Sequence, residues 1–408
     1  MNAIIIAVGT ELTSGQTIDT NSAYLAERLA GLGIDALEHR TVGDERAAIS
    51  AAIKCAAAAA ELVVVTGGLG PTADDLSRHG LADAMGAELS LDGESLRAIE
   101  DMFRRRGRRM AESNRVQAMV PAGARALPNR MGTAPGLAAA VGGARVYVMP
   151  GVPAEMRRMF EEAVAPRLPQ GQGAIVCRTI HTFGAGESDV GAKIADLMAR
   201  DADPLVGTTA AAGLVTVRIR CRAGKADEAQ RRIDAAAAEI RRRLGELVVG
   251  EGNETMASAV GSLLRARGQT LATAESCTGG MLGAMITAVP GSSDYYLGGM
   301  VAYCDRLKQE LLGVPGGALS EHGAVSEPVA AAMAEGCRRR CGADWAVAVT
   351  GIAGPGGGSQ DKPVGLVFIA LAGEGETHVQ RHVFGGTREM VRVRSSLAAL
   401  NALRMRIG

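Results

Sequence analysis

The chain opens on a short apolar run, NAIIIAVG, that ends in a glycine. Its β-branched residues and single-strand length predict a buried β-strand. From Asn21 to Leu32 the apolar positions return with helical spacing, placing Leu25, Leu29 and Leu32 on one face. The alanine-rich stretch 46–60 predicts a second helix. ELVVVTGG at 61–68 predicts a buried parallel strand running into a glycine loop. RVYVMPG at 145–151 predicts a further strand and residues 153–163 a further helix. Strands alternate with helices, which is an α/β pattern with functional loops expected at the strands' carboxyl ends.

The pattern changes between about Leu168 and Val249. AIVCRTIHTF and LVTVRIRCR read as strands, and 187–200 and 225–244 as helices, giving a small α+β module. EGNETM at 251–256 reads as a linker. The last segment returns to α/β. It has a helix, a strand at QTLATAE, a glycine turn, another helix and a strand at GGMVAYC. The strand DWAVAVTG follows, then the loop IAGPGGGSQDKP, a strand at VGLVFIALAG and a closing helix at 387–406. VVVTGGLGP at 63–71 and VAVTGIAGP at 347–355 are alike without any longer repeat, so they read as convergent loops. The boundaries expected from these changes are 1–167, 168–250 and 251–408, in keeping with a length of 408 residues, too long for one ordinary core.

Charge narrows the function classes. Lys plus Arg and Asp plus Glu are both 44, and aromatics are only 3%, so neither a basic surplus nor a stacking platform for nucleic acid is present. The basic run RRRGRR at 104–109 reads as a solvated helix end, or a contact for a phosphate. Seven cysteines without a CxxC argue against a disulfide framework and a zinc ribbon. The beginning of the chain lacks a basic leader, and no apolar stretch is long enough to cross a membrane. A soluble, cytoplasmic protein without membrane or nucleic-acid partners is expected.

Candidate chemistry in the last segment centres on AESCTGG at 274–280. Ser276 stands where a strand gives way to glycines and a helix, so it is either a nucleophile beside oxyanion-stabilising amides or a helix cap. Cys277 is a rival nucleophile or a small buried hydrophobe. Tyr303 and Lys308, in AYCDRLK, are a core aromatic and a solvated lysine, or else the proton-handling pair that a serine needs. Thr350 closes a buried strand, His322 sits in EHGAVSEP, and Arg388 in GGTREMVR offers a bidentate phosphate contact. His322 reads equally as a capping residue and Arg392 as a helix-surface charge.

AESCTGG, VAYCDRLKQELLGV, HGAVSEPV, VTGIAGPGGG, KPVG and GGTREMVRVRS, in this order, resemble the C-terminal domain of the competence/damage-inducible CinA family. The resemblance implies deamidation of nicotinamide mononucleotide, with no cofactor. On this sequence it implies that Ser276 attacks the carboxamide carbon while Tyr303 and Lys308 handle the proton. Thr350 with neighbouring backbone would hold the intermediate, and Arg388 or Arg392 would receive the 5′-phosphate. Thr278, Gly279, His322 and Gly351 complete the expected substrate contacts.

In the first segment VGTELTSGQTIDTN at 8–21, TGGLGPTADDLS at 66–77, APG at 134–136 and MPGVPAEM at 149–156 fall at strand ends or turns. Glycines 67, 68 and 70 let backbone amides approach phosphates. Asp74 and Asp75 offer hard oxygen ligands to a divalent ion, with Glu11, Asp19 or Glu155 as further donors; the plain alternative is a tight turn with helix-capping aspartates. These motifs resemble the molybdopterin-binding fold, and GTEL with PGVPAEM favours its CinA branch. That implies a metal-dependent (Mg, Mn or Co) ADP-ribose pyrophosphatase, with Asn21, Thr72, Gly136 and Gly151 also at the substrate. FGAGESDVGAKIADL at 183–197 resembles the family's KH-like module, and the whole implies a homodimer. Two other readings stand beside this one. One is a molybdopterin-binding or adenylyl-transferring protein; the other is a non-enzymatic partner in DNA uptake.

Overall fold

The computed structural model describes residues 1–169 and 174–408; residues 170–173, at the start of the expected middle module, lie outside the described residues. The chain divides into two compact units, Met1–Val176 with Cys221–Arg232, and Cys177–Arg220 with Ile233–Gly408.

The first unit is built on a six-stranded sheet in the order Asp35–Val42, Asn2–Val8, Leu62–Thr66, Ala144–Met149, Gly136–Val141, Arg125–Leu127. The first four strands are parallel and the last two antiparallel. The near-continuous apolar runs at 2–8 and 62–66 are explained by helices on both faces of the sheet. Ile4, Ile6, Val63 and Val65 pack with Ile49 and Ile53 of the helix Arg46–Ala59. Ala3, Ile5, Leu62 and Val64 point the other way, onto Leu25 and Leu29 of the helix Thr20–Gly31 and Phe160.

Strands ordered Leu205–Ala211, Leu214–Ala223, Ala174–Phe183 and Val248–Glu251 form one four-stranded sheet, most of whose residues belong to the second unit, and the chain passes from Leu214–Ala223 into the helix Ala226–Leu244. A five-stranded sheet runs Tyr296–Val301, Leu271–Glu275, Trp345–Gly351, Leu366–Gly373, Glu376–Val383. Its first three strands are parallel and its last two antiparallel. The period-2 alternation has a clear physical sense here. Val347, Val349, Ile369 and Leu371 face the helices Met256–Arg267 and Arg388–Ile407. Ala272, Ala274, Ala346, Ala348, Ala370 and Ala372 face the helix Glu327–Cys341. Small residues on that face let the helix lie close to the sheet.

Several elements depart from the sequence expectation. The helix expected over 187–200 is only Glu187–Lys193, followed by a 3-10 turn at Ala195–Met198. The helix expected over 153–163 runs as Pro153–Met159, widens through a π turn at Phe160–Val164 and tightens at Ala165–Arg167. Pro166 has no N–H to give and its ring crowds the carbonyl four residues back, so the regular helix cannot continue. GGMVAYC is paired as Tyr296–Val301, which leaves Tyr303 and Cys304 beyond the strand. No helix among the described residues is long and apolar enough to cross a membrane.

The tightest test of the packing is Gly336, inside the helix Glu327–Cys341. A Cβ there would collide with the Leu312 carbonyl. Alanine ordinarily favours a helix over glycine by about 1 kcal/mol, but overpacking costs about 1–3 kcal/mol. Gly336→Ala should therefore lower the urea midpoint of unfolding; a variant more stable than the parent would contradict this contact.

Candidate functional site

Three neighbouring parallel strands of the first unit, Asn2–Val8, Leu62–Thr66 and Ala144–Met149, present their carboxyl ends side by side. The loops that follow enclose a cavity of about 440 Å³. Of the residues expected here, Glu11, Gly67, Gly68, Gly70, Asp74, Asp75, Gly151 and Glu155 line it. The glycine loop is held from its outer side. Ser77 Oγ donates to the Gly67 carbonyl at 2.7 Å, and the Ser77 amide donates to the Gly68 carbonyl at 3.0 Å. A peptide unit is planar and trans, so fixing those two carbonyls turns the Gly68 and Leu69 N–H groups the opposite way. Among the described residues neither amide has a protein acceptor. Gly67 and Gly68 both have positive φ, at 107° and 65°, and a Cβ on Gly67 would strike the Val8 carbonyl. The result is an anion-receptive nest.

Asp75 and Arg78 close the same loop. Asp75 Oδ1 accepts from the Gly70 amide at 2.7 Å, while Oδ2 accepts from the Thr72 amide at 2.9 Å and from the Thr72 hydroxyl. Thr72 therefore faces Asp75 and does not line the cavity. Arg78, 1% exposed, donates to the carbonyls of Leu69, Gly70 and Asp75. Burial lowers its guanidinium to about 10, still protonated at neutral pH. Asp74 keeps its place on the cavity wall, and Glu155 is steadied by the Asn129 amide nitrogen at 2.7 Å.

Other expected residues do different work. Asp19 caps the helix Thr20–Gly31, accepting from the Ser22 amide at 2.9 Å. Asn21 ties loops together by donating to Thr66 Oγ1 at 3.0 Å and to the Gly151 carbonyl at 2.8 Å. Gly136 begins a strand, where a Cβ would press on Met159 sulfur and the Val148 carbonyl. No group of three or more His, Cys, Asp or Glu side chains suited to a metal ion is assembled among the described residues. The carboxylates on the wall suit an ion that takes one or two protein ligands and completes its shell with water and substrate phosphate.

The second unit repeats the strand-end principle. Ser276 follows the inner strand Leu271–Glu275 and its amide donates to the Val349 carbonyl of the central strand at 2.9 Å, beside Thr350. The Ala302 amide donates to the Glu275 carbonyl at 2.8 Å, bringing the Tyr303 segment alongside. Lys308 is 1% exposed, with Nζ at 3.4 Å from the Tyr303 carbonyl and 3.6 Å from Asp305. Tyr303 is 57% exposed, and its hydroxyl accepts from Arg388 Nη2 at 2.8 Å. The lysine is thus the buried member of the pair and the tyrosine the exposed one. Arg388 also donates to the Gly354 carbonyl at 2.7 Å. Arg392, one turn on, donates twice to the Thr278 carbonyl, at 2.7 and 3.2 Å.

The expected helix-terminal oxyanion donors need correction. Glu275 already occupies the amides of Gly280, Leu282 and Gly283. Thr278 is buried and its hydroxyl has no partner among the described residues, while Gly279 supplies a φ of 58° in the turn. Thr350 is buried and spends its hydroxyl proton on the Ala324 carbonyl at 2.8 Å. Gly351 admits the neighbouring strand, since a Cβ would crowd the Leu366 carbonyl. His322 ends the short helix Gly316–His322; its carbonyl accepts from Lys362 at 2.6 Å, and its imidazole lies 3.7 Å from Glu321. Burial pushes the Cys277 thiol up to about 11, with Glu275 adding to the rise, while a backbone hydrogen bond, Arg388 and Arg392 oppose it.

The family described as CinA C-terminal domain matches residues 253–407, the molybdopterin-binding domain family residues 4–170, and the damage-inducible protein CinA KH domain residues 177–250. A protein of Symbiobacterium thermophilum is 47% identical over 418 residues, covering 99% of this chain and 98% of its own length. The CinA-like protein of Geobacter sulfurreducens is 42% identical over 410 residues, covering 100% of this chain and 99% of its own. The chain belongs to the CinA family. A solved CinA superfamily structure from Klebsiella pneumoniae is 38% identical, covers 37% of this chain and 95% of its own, and superposes with a TM-score of 0.37. This CinA chain is accordingly a three-part α/β protein: a molybdopterin-binding-like domain, a KH-like module and the CinA C-terminal domain.

Sequence reasoning missed Glu275, Ser77, Arg78 and Asn129. Glu275 alone left a signal: a carboxylate at the end of the otherwise apolar strand LATAE. The thiol of Cys277 gives this CinA domain a direct test. A group held as a thiol to about pH 11 should resist iodoacetamide at pH 7.5, whereas exposed Cys304 should be carbamidomethylated within the same incubation. Peptide mass spectrometry reads both, and equal labelling would remove the argument against Cys277 as nucleophile.

Proposed function

We propose that this CinA protein is a nucleotide hydrolase with two sites, the C-terminal one deamidating nicotinamide mononucleotide. The observation that carries this reading is the approach of a strand-end serine, Ser276, to the Tyr303–Lys308 segment that follows the adjacent strand Tyr296–Val301, with Lys308 buried. Ser276 Oγ attacks the carboxamide carbon and loses its proton to the Tyr303–Lys308 pair. Collapse of the tetrahedral species breaks the C–N bond, and the same pair returns the proton to the departing ammonia. Water then cleaves the acyl-enzyme to nicotinic acid mononucleotide. A guanidinium has five N–H donors, and Arg388 spends two on Tyr303 and Gly354, so three remain for a phosphate. No cofactor takes part at this site.

The cavity of the first unit favours a second activity, hydrolysis of ADP-ribose to AMP and ribose 5-phosphate. The Gly68 and Leu69 amides and the buried Arg78 charge suit a pyrophosphate. Asp74, with Glu155 or Glu11, would hold a divalent ion, whose contribution is to neutralise phosphate charge and acidify a water. Asp75 already closes the loop and is assigned that role here. A non-enzymatic role in DNA uptake draws no support from the net charge, which is formally zero.

Ammonia release from nicotinamide mononucleotide should fall roughly a thousandfold or more in Ser276→Ala. Equal release by parent and variant would sink the serine mechanism, and no release by the parent would sink the substrate. AMP formation from ADP-ribose should require added divalent ion and should drop in Asp74→Ala with the fold intact. Activity that persists in excess chelator would overturn the metal-dependent reading.

A further inference from the structure

Glu275 is the last residue of the strand Leu271–Glu275, and it is 2% exposed. A buried carboxylate is costly unless its oxygens are satisfied. Here no ion pair involves it among the described residues; amides satisfy it instead. Oε2 accepts from the Gly280 and Leu282 amides, both at 3.0 Å, and Oε1 from the Gly283 amide at 2.8 Å. Charge-assisted bonds of this kind are about twice as strong as neutral ones. The residue therefore grips the chain at two places, through its own backbone at the end of the sheet and through its side chain at the start of the helix Met281–Thr287.

The five residues between those grips, 276–280, form a closed loop that contains Ser276. Within it the Ser276 amide is bound to the Val349 carbonyl at 2.9 Å and its carbonyl accepts from the Gly279 amide at 3.0 Å. Gly279 and Gly280 supply the positive φ values, 58° and 93°, that let so short a segment turn back. Both sides of the serine's backbone are thus fixed, and the Glu275 carboxylate closes the loop together with Arg392, which donates twice to the Thr278 carbonyl. The three amides the carboxylate takes are no longer free to meet an oxyanion on the substrate.

We infer that Glu275 is a positioning residue for Ser276: it sets the nucleophile's geometry by closing the 276–283 segment, without touching the substrate. This rests on the assignment of Ser276 as nucleophile. The chemistry of the closure predicts what each replacement does. Glutamine keeps the size but presents an NH2 group to at least one of three N–H donors, so one contact becomes a repulsion. Aspartate keeps the charge but is one methylene short of the amides. A nucleophile displaced by about 1 Å loses about 100-fold in rate, so Glu275→Gln should reduce kcat for nicotinamide mononucleotide about 10- to 100-fold, with KM little changed.

A folding defect would also lower the apparent kcat, so binding is measured alongside it. In a Ser276→Ala background, which does not consume the substrate, calorimetry with nicotinamide mononucleotide should give the same stoichiometry and Kd with and without Glu275→Gln. Amide exchange at Gly280, Leu282 and Gly283 should speed up in the glutamine variant. Parent-like kcat in Glu275→Gln, or a fall in kcat matched by a fall in binding stoichiometry, overturns the inference. Should the glutamine variant prove insoluble, Glu275→Asp takes its place with the same readouts and the same criteria. A parent that releases no ammonia overturns the proposed reaction and, with it, this inference, which rests on it; an active parent with an unaffected variant overturns this inference alone.

Discussion

Both sheets that carry candidate sites depend on one constraint: their central parallel strands are covered on both faces. A strand such as Asn2–Val8 or Trp345–Gly351 can hold almost nothing polar along its length, because its side chains meet helices on both faces. Polar groups are therefore displaced to the carboxyl ends, where the chain leaves the sheet and its peptide groups need partners. Ser276, Thr350 and Tyr303 in one unit, and Gly67, Gly151 and Glu11 in the other, all stand just at or beyond such ends. The exclusion of polarity from the strands is what concentrates it into sites.

The likeness between VVVTGGLGP and VAVTGIAGP has its explanation in the same constraint. Each segment is a buried central strand ending in Thr-Gly. In both, the threonine hydroxyl turns sideways to a carbonyl on another loop, Thr66 to Pro150 at 3.0 Å and Thr350 to Ala324 at 2.8 Å. The following glycine accommodates backbone that approaches too closely for a side chain, the Val8 carbonyl at Gly67 and the Leu366 carbonyl at Gly351. Two unrelated sheets thus arrive at the same dipeptide because a β-branched residue with a hydroxyl can end a buried strand and tether the next loop. Thr350 is accordingly better suited to holding the Ala324 loop than to donating to a reaction intermediate.

What could be read from the chain follows from where energy was spent on pattern. The central strands and the helices Thr20–Gly31 and Arg388–Ile407 were legible because burial writes a period into the sequence. The edge strands Asp35–Val42 and Glu376–Val383 were not: DALEHRTV and ETHVQRHV are largely solvent-facing, so their alternation is polar against polar. The candidate residues were found by type and order, yet their partners were not. Nothing in the spacing of Asp74 and Asp75, which both line the cavity, says that the second is the one consumed by the Gly70 and Thr72 amides. Lys308 and Tyr303 depart from the plain alternative of a solvated lysine and a core aromatic because the strand ends at Val301, which leaves the tyrosine outside the sheet, while the lysine is buried on the helix Asp305–Leu312.

The two glycine turns also share a device with opposite consequences. In each, a carboxylate folds back onto amides of its own loop and holds the turn closed. Asp75 takes the Gly70 and Thr72 amides but leaves those of Gly68 and Leu69 without a protein partner, so the turn remains hungry for an anion from outside. Glu275 takes the amides at the start of a helix, the very groups that would have attracted such an anion, and the turn already holds its own negative charge. A loop of the first kind suits recognition of phosphate. A loop of the second kind repels phosphate from the turn, so in the proposed deamidation the phosphorylated substrate would be held from another element. Arg388 and Arg392, both on the last helix and each reaching a separate loop, are the cations that the proposal assigns to that task.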